Sequence, residues 1–238
     1  ANTFMALGVE KGDRVMLFIE KSLMYLIAHL ALQKLGAISV PLNPGFKKSE
    51  MDYLLKDAQA KLILLEPGKE TFIRQIDPGL TLFAVDAQKA YQDLDVFGSA
   101  SDEFVRPEIQ PNDPAIIIYT SGTTGKPKGA ILTQNNLMID ALNIINTWEI
   151  NDSDTLCHAL PLFHVHGLCF ALHTALIAGA HVLLLDIFFP LQGFLHLPQG
   201  ITHLTDFAFV EPGKINPFSF PDLVCIACQA PDGRSEPD

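Results

Sequence analysis

Short, wholly apolar runs recur through the first part of the chain at a spacing that only one kind of fold accommodates. Val15-Met16-Leu17-Phe18-Ile19, Ala37 to Val40 and Leu62-Ile63-Leu64-Leu65 each have the length and continuity of a strand buried on both faces. Between them lie helical patterns. Ser22 is placed to cap a helix from Leu23 to Leu35 that Gly36 stops, and Ser49 to cap one through Ala58 whose early Glu50 and Asp52 suit the positive end of a helix dipole. Strands alternating with helices at this spacing are βαβ units of a parallel sheet, so the fold class is α/β.

From Asp86 to Pro114 the periodicity fades and Pro, Asp, Ser and Gly collect, which reads as a surface linker. A further buried strand, Ala115-Ile116-Ile117-Ile118-Tyr119, follows. After the short strand Ala130-Ile131-Leu132 comes a helix whose Leu137, Ala141, Leu142, Ile144, Ile145 and Trp148 recur at helical spacing and predict one buried face. No internal repeat is present.

The chemistry is concentrated between these two strands, in Thr120-Ser121-Gly122-Thr123-Thr124-Gly125-Lys126-Pro127-Lys128-Gly129. The glycines let the main chain turn sharply and bring its N–H groups close to an anion. Thr120, Ser121, Thr123 and Thr124 add hydroxyl donors, and Lys126 and Lys128 add charge for the same phosphate oxygens. It is not a Walker A loop, because Pro127 stands where the second glycine of that pattern is required, and proline also opposes a helix launched from the loop.

Composition narrows the ligand. With 16 Lys+Arg against 27 Asp+Glu, the 238-residue chain carries a net charge of −11, which argues against nucleic acid while leaving a local anion site open. A hydrophobic fraction of 48% is that of a core-forming chain. No membrane span is expected, since Lys34 and Asp186 interrupt the longest apolar candidates. The opening Ala1-Asn2-Thr3 has neither a basic stretch nor a cleavage site, so it reads as a chain entered partway through a helix rather than a signal peptide.

The four cysteines are too sparse for a disulfide framework, which favours a reducing compartment, the cytoplasm or, in a eukaryote, the mitochondrial matrix. Cys225-x-x-Cys228 lies in an apolar run and is read as packed. Cys157, His158, His164 and His166 have no recognised ligand spacing, so no metal site is assigned.

The stretch Tyr119 to Gly129 resembles the signature phosphate loop of the AMP-forming adenylate ligases: acyl-CoA synthetases, aryl-CoA ligases, firefly luciferase and nonribosomal adenylation domains. Leu160-Pro161-Leu162-Phe163-His164-Val165-His166-Gly167-Leu168 is similar to a second motif of that superfamily. Gly12-Asp13-Arg14-Val15 and Gly36 to Asn43 resemble its N-terminal domain. The resemblance implies the parallel βαβ sheet units of that N-terminal domain, truncated, over residues 1–190, with 191–238 a divergent tail.

It further implies a two-step reaction in which a carboxylate attacks the α-phosphorus of ATP, with Mg2+, and the thiol of coenzyme A then displaces AMP. The loop from Thr120 to Lys128 would hold the β- and γ-phosphates. His164 matches the position that contacts substrate and adenylate and is the candidate catalytic residue; with His166 it would line the acyl pocket. No acidic residue occurs between Cys157 and Leu172 to receive an amino acid's ammonium group. Glu20-Lys21-Ser22, Pro41-Leu42-Asn43 and the histidine run look most like malonyl-CoA and fatty acyl-CoA synthetases, and two histidines would suit a second carboxylate.

The superfamily's adenine motif, Mg-linked glutamate, ribose-binding aspartate and C-terminal lysine are not found after Pro190, where a frameshift, splice or gene-model origin for the tail is one expectation. The alternative to a ligase is a catalytically inactive nucleotide- or partner-binding product. Exposed sheet edges would then carry an aggregation risk.

Overall fold

The computed structural model describes residues 1–87, 103–120, 126–185 and 208–210. The chain divides into two units, Ala1–Leu137 and Met138–Asp238.

The first unit is built on a six-stranded sheet. After a short helix α1 (Asn2–Ala6) come β1 (Arg14–Phe18), α2 (Leu23–Leu35), β2 (Ile38–Pro41), α3 (Lys48–Ala58), β3 (Leu62–Leu65), α4 (Glu70–Arg74), β4 (Thr81–Ala84), β5 (Pro114–Thr120) and β6 (Lys128–Thr133). The sheet order is β4-β3-β1-β2-β5-β6. All neighbours are parallel except β6, which runs antiparallel to β5. The expected βαβ architecture is therefore present, with a hairpin at one end of the sheet.

Local sequence explains most of the boundaries. Ser22 caps α2, its Oγ accepting the Tyr25 N–H at 3.1 Å, and Gly36 ends the helix in the left-handed region at φ 70°. A Cβ at Gly36 would also press on Lys11 and Ile109. The start of α3 differs from expectation: Ser49 lies inside the helix and Lys47 occupies the cap position. The reason is Glu50, whose carboxylate accepts the Lys47 N–H at 2.8 Å and fixes the helix start two residues earlier.

The central strands β1, β2 and β3 are buried on both faces. Met16, Phe18, Val40, Leu42, Ile63 and Leu65 pack with Met51, Leu54, Leu55 and Ala58 of α3 and with Ile73 of α4. Val15 and Leu17 alternate to the opposite face, and α2 packs on β1 and β2. Residues 103–113, within the expected linker, have no strand or helix, and β5 begins at Pro114, where a strand tolerates a missing N–H. β4 is a strand that the sequence pattern did not announce. It pairs in register with β3 from Leu62↔Thr81 to Leu65↔Ala84.

The helix α5 (Gln134–Trp148) spans the division between the units. Its buried positions are Leu137 and Ala141, with Ile144 and Ile145 half-buried. Leu142 and Trp148 are exposed, which corrects the expected face: Leu142 is turned about 100° from Ala141, and Trp148 lies in the last turn.

In the second unit, β7 (Thr155–His158) pairs parallel with β8 (His181–Leu184) and antiparallel with β9 (Ala208–Val210). Between β7 and β8 runs a π-helix, His166–His173, continued by α6 (Thr174–Ala178), which Gly179 ends at φ 75°. Its small core joins Ile150, Leu156, Ala171, Ala175 and Ala180. Among the described residues no helix is long and apolar enough to cross a membrane.

Candidate nucleotide and acyl sites

Parallel strands of an α/β sheet present their carboxyl ends to ligands, because the crossovers leave a crevice there. The candidate phosphate loop leaves β5 at that end and returns as β6. Thr120 pairs with Lys128 across the stem, and the Thr120 Oγ1 hydroxyl donates to the Lys128 carbonyl at 3.4 Å. Thr120, Lys126 and Lys128 are exposed, and neither lysine enters an ion pair among the described residues. The loop's Ser121, Gly122, Thr123, Thr124 and Gly125 lie outside the described residues.

The stem itself is closely fitted. Tyr119 faces Gly129 across the hairpin, and a Cβ on Gly129 would meet Ile117 at 2.9 Å and the Tyr119 ring at 3.4 Å. The missing side chain thus makes room for the ring. The Tyr119 hydroxyl donates to the Asp57 carboxylate of α3 at 2.7 Å. Burial, then that carboxylate, pushes the Tyr119 phenol well above its ordinary range, so it remains a donor at any physiological pH. Tyr53, one turn earlier on α3, donates to the Pro127 carbonyl at 3.0 Å and lies 3.4 Å from Asp57. Sequence reasoning missed Tyr53 and Asp57. Their only local signal is a spacing of four on the exposed side of a helix.

In the second unit, the histidine motif forms the turn into the π-helix. His164 and His166 are both exposed. The His164 ring lies 4.5 Å from that of Phe163, tilted to it, and the His166 ring meets that of Phe170 edge-on at 5.1 Å. Burial of part of the ring, and then the neighbouring His166, lower the His164 pKa below the usual imidazole value. At neutral pH His164 is therefore a neutral hydrogen-bonding group.

His158 at the end of β7 is buried, and its Nε2 donates to the Gly167 carbonyl at 2.8 Å. Gly167 is required here, since a Cβ would collide with the Pro161 carbonyl. These two residues fix the turn that presents His164 and His166. A π-helix is uncommon and in other proteins often marks a functional site. Cys169 inside it is buried, and its thiol is pushed up to about 12 by burial and by Asp140, so it is not a nucleophile. Cys225 and Cys228 lie outside the described residues.

No group of acidic, histidine and cysteine side chains able to hold a metal occurs among the described residues.

Comparisons with known proteins agree with this reading of the fold. The AMP-binding enzyme family matches residues 1–205. A probable CoA ligase of Humulus lupulus is 33% identical over 191 residues, covering 77% of this chain and 36% of that protein. The oxalate–CoA ligase of Arabidopsis thaliana is 34% identical over 186 residues, covering 74% of this chain and 36% of that protein. The crystal structure of ATP-bound MatB from Rhodopseudomonas palustris superposes with a TM-score of 0.74 at 35% identity, covering 79% of this chain and 38% of that one. The chain thus spans between a third and two fifths of the length of these relatives, and it belongs to the AMP-binding enzyme family, part of whose N-terminal α/β domain it carries.

Proposed function

We propose that this chain carries the phosphate-gripping and acyl-lining segments of an AMP-forming acid–thiol ligase. The observation that supports this most is the hairpin β5–β6, which holds Lys126 and Lys128 exposed on either side of Pro127 and outside any ion pair among the described residues. In this reading the loop from Thr120 to Lys128, with Ser121, Gly122, Thr123, Thr124 and Gly125, receives the β- and γ-phosphates of Mg-ATP.

A carboxylate oxygen attacks the α-phosphorus and the bond to the β-phosphate bridging oxygen breaks, so pyrophosphate departs with the charge that the lysines neutralise. The acyl-adenylate is then attacked by the thiolate of coenzyme A, and AMP leaves. Such chemistry needs positioned donors more than a base. His164, held neutral, serves as hydrogen-bonding contact to the carboxylate and adenylate. His166 beside it favours a substrate with a second carboxylate, of the malonate or methylmalonate kind, over a fatty acid. Its replacement in a full-length enzyme, His166→Ala, should abolish a dicarboxylate preference; an unchanged preference counts against the assignment.

The reading takes residues 1–190 as the family-like part and 191–238 as a divergent tail. It places the protein in the cytoplasm, or in the mitochondrial matrix if the source is eukaryotic.

The alternative reading is a catalytically inactive nucleotide- or partner-binding product. A thermal melt with and without Mg-ATP tests binding, because a ligand that prefers the native state raises the transition. An upward shift supports the phosphate loop, and carboxylate-dependent pyrophosphate exchange then separates ligase from inactive binder. A melt indifferent to Mg-ATP overturns both readings for this polypeptide.

A further inference from the structure

The two strands that carry the phosphate loop are tied to the same face of one helix. On the incoming strand, the Tyr119 hydroxyl donates to Asp57 at 2.7 Å. On the outgoing side, the Pro127 carbonyl accepts from Tyr53 at 3.0 Å. Tyr53 and Asp57 stand four residues apart on α3 and are themselves 3.4 Å apart, so the chain of contacts runs from one strand to the other through the helix. The opposite side of α3 is fixed in the core by Met51, Leu54, Leu55 and Ala58. Gly129 leaves the space in which the Tyr119 ring lies against the outgoing strand.

None of this is needed to close the hairpin, whose register already runs from Ile116↔Leu132 to Thr120↔Lys128. Polar contacts at its neck, from an element rooted in the core, further fix the stem at Tyr119 and Pro127, on either side of the glycine-rich segment.

We propose that Tyr53 and Asp57 are positioning residues for the phosphate loop: by clasping both sides of its stem to α3 they fix where Thr120, Lys126 and Lys128 meet the leaving pyrophosphate. The proposal rests on the reading of this loop as the phosphate site. The clasp acts on the stem and touches no substrate. Its loss weakens binding of the polyphosphate without disturbing the core beneath.

The test uses the 238-residue chain, with amide hydrogen exchange read by mass spectrometry on peptides spanning 119–129 and 14–18, and Mg-ATP and inorganic pyrophosphate as probes. Asp57→Ala and Tyr53→Phe should each speed exchange in the stem by about tenfold, the scale of losing a hydrogen bond to a charged or buried partner, with β1 unchanged. Mg-ATP affinity should fall by a similar factor. Asp57→Asn, which keeps an acceptor oxygen for Tyr119, should recover most of both.

Stem exchange that does not change in either variant overturns the clasp. Faster exchange with undiminished affinity for Mg-ATP overturns its positioning role. Failure of the parent chain to bind either probe overturns the phosphate-loop reading itself, and the positioning role with it.

Discussion

His173 closes the π-helix with 8% of its surface exposed, and burial pushes its pKa down to about 4 from an ordinary value of 6.5. The folded state therefore refuses a proton that the unfolded chain accepts. Between about pH 6.5 and 4 the unfolded chain binds more protons, so stability rises with pH across that window. The full contribution, of the order of 3 kcal/mol, is present above 6.5 and is lost as pH falls towards 4. Urea midpoints at pH 7, 5.5 and 4 should decline steeply for the parent chain. His173→Gln, which cannot charge, should flatten that decline even if it starts from a lower midpoint. Parallel pH profiles for the two proteins would refute the assignment of the acid limb to this residue.

Single elements depend on a few local devices, and α2 shows how much one of them carries. The Ser22 hydroxyl accepts the Tyr25 N–H at 3.1 Å and donates to the Glu20 carbonyl at 3.2 Å, in a position only 7% exposed. Ser22→Ala should cost about 1–2 kcal/mol, because water cannot readily replace the cap there. The check is a urea midpoint shift with an unchanged slope; a shift below a few tenths of a kcal/mol would mean that the helix start is held by packing alone.

Such devices are also what made elements legible in sequence. Ser22 and Gly36 bound α2 from both ends, and the unbroken Leu62–Leu65 run announced β3. By contrast β4 is four residues long, and its pairing with β3 joins segments that no local pattern connects. The π-helix has the apolar composition of an ordinary helix, and its wider hydrogen-bond step leaves no mark on residue type. The same limit applies to the site. The lysines and histidines stood out by motif, whereas Asp57 reaches a partner 62 residues away and looks like any exposed helical carboxylate until the fold closes.

At the scale of the whole molecule the consequence lies at the ends of the first unit's sheet. β4 and β6 are its terminal strands, and they are not equivalent. β4 has four residues, while β6 has six, the first four of them exposed. Ile131 faces Ile117 in the neighbouring strand and keeps 58% of its surface in water. A long end strand with an exposed β-branched residue is a template for pairing with another chain, and Lys128 guards only its first position. The purified 238-residue chain should therefore associate in a concentration-dependent way, visible as a rise in light scattering over hours at 37 °C. Ile131→Lys puts a charge in the middle of the strand, where pairing would bury it, and should suppress that rise severalfold. The substitution should leave the melting transition nearly unchanged, since the side chain it replaces is largely hydrated already. Lys128→Ala should act in the opposite sense by removing the charge at the strand's end. Scattering that Ile131→Lys does not reduce would place the association surface elsewhere on the molecule.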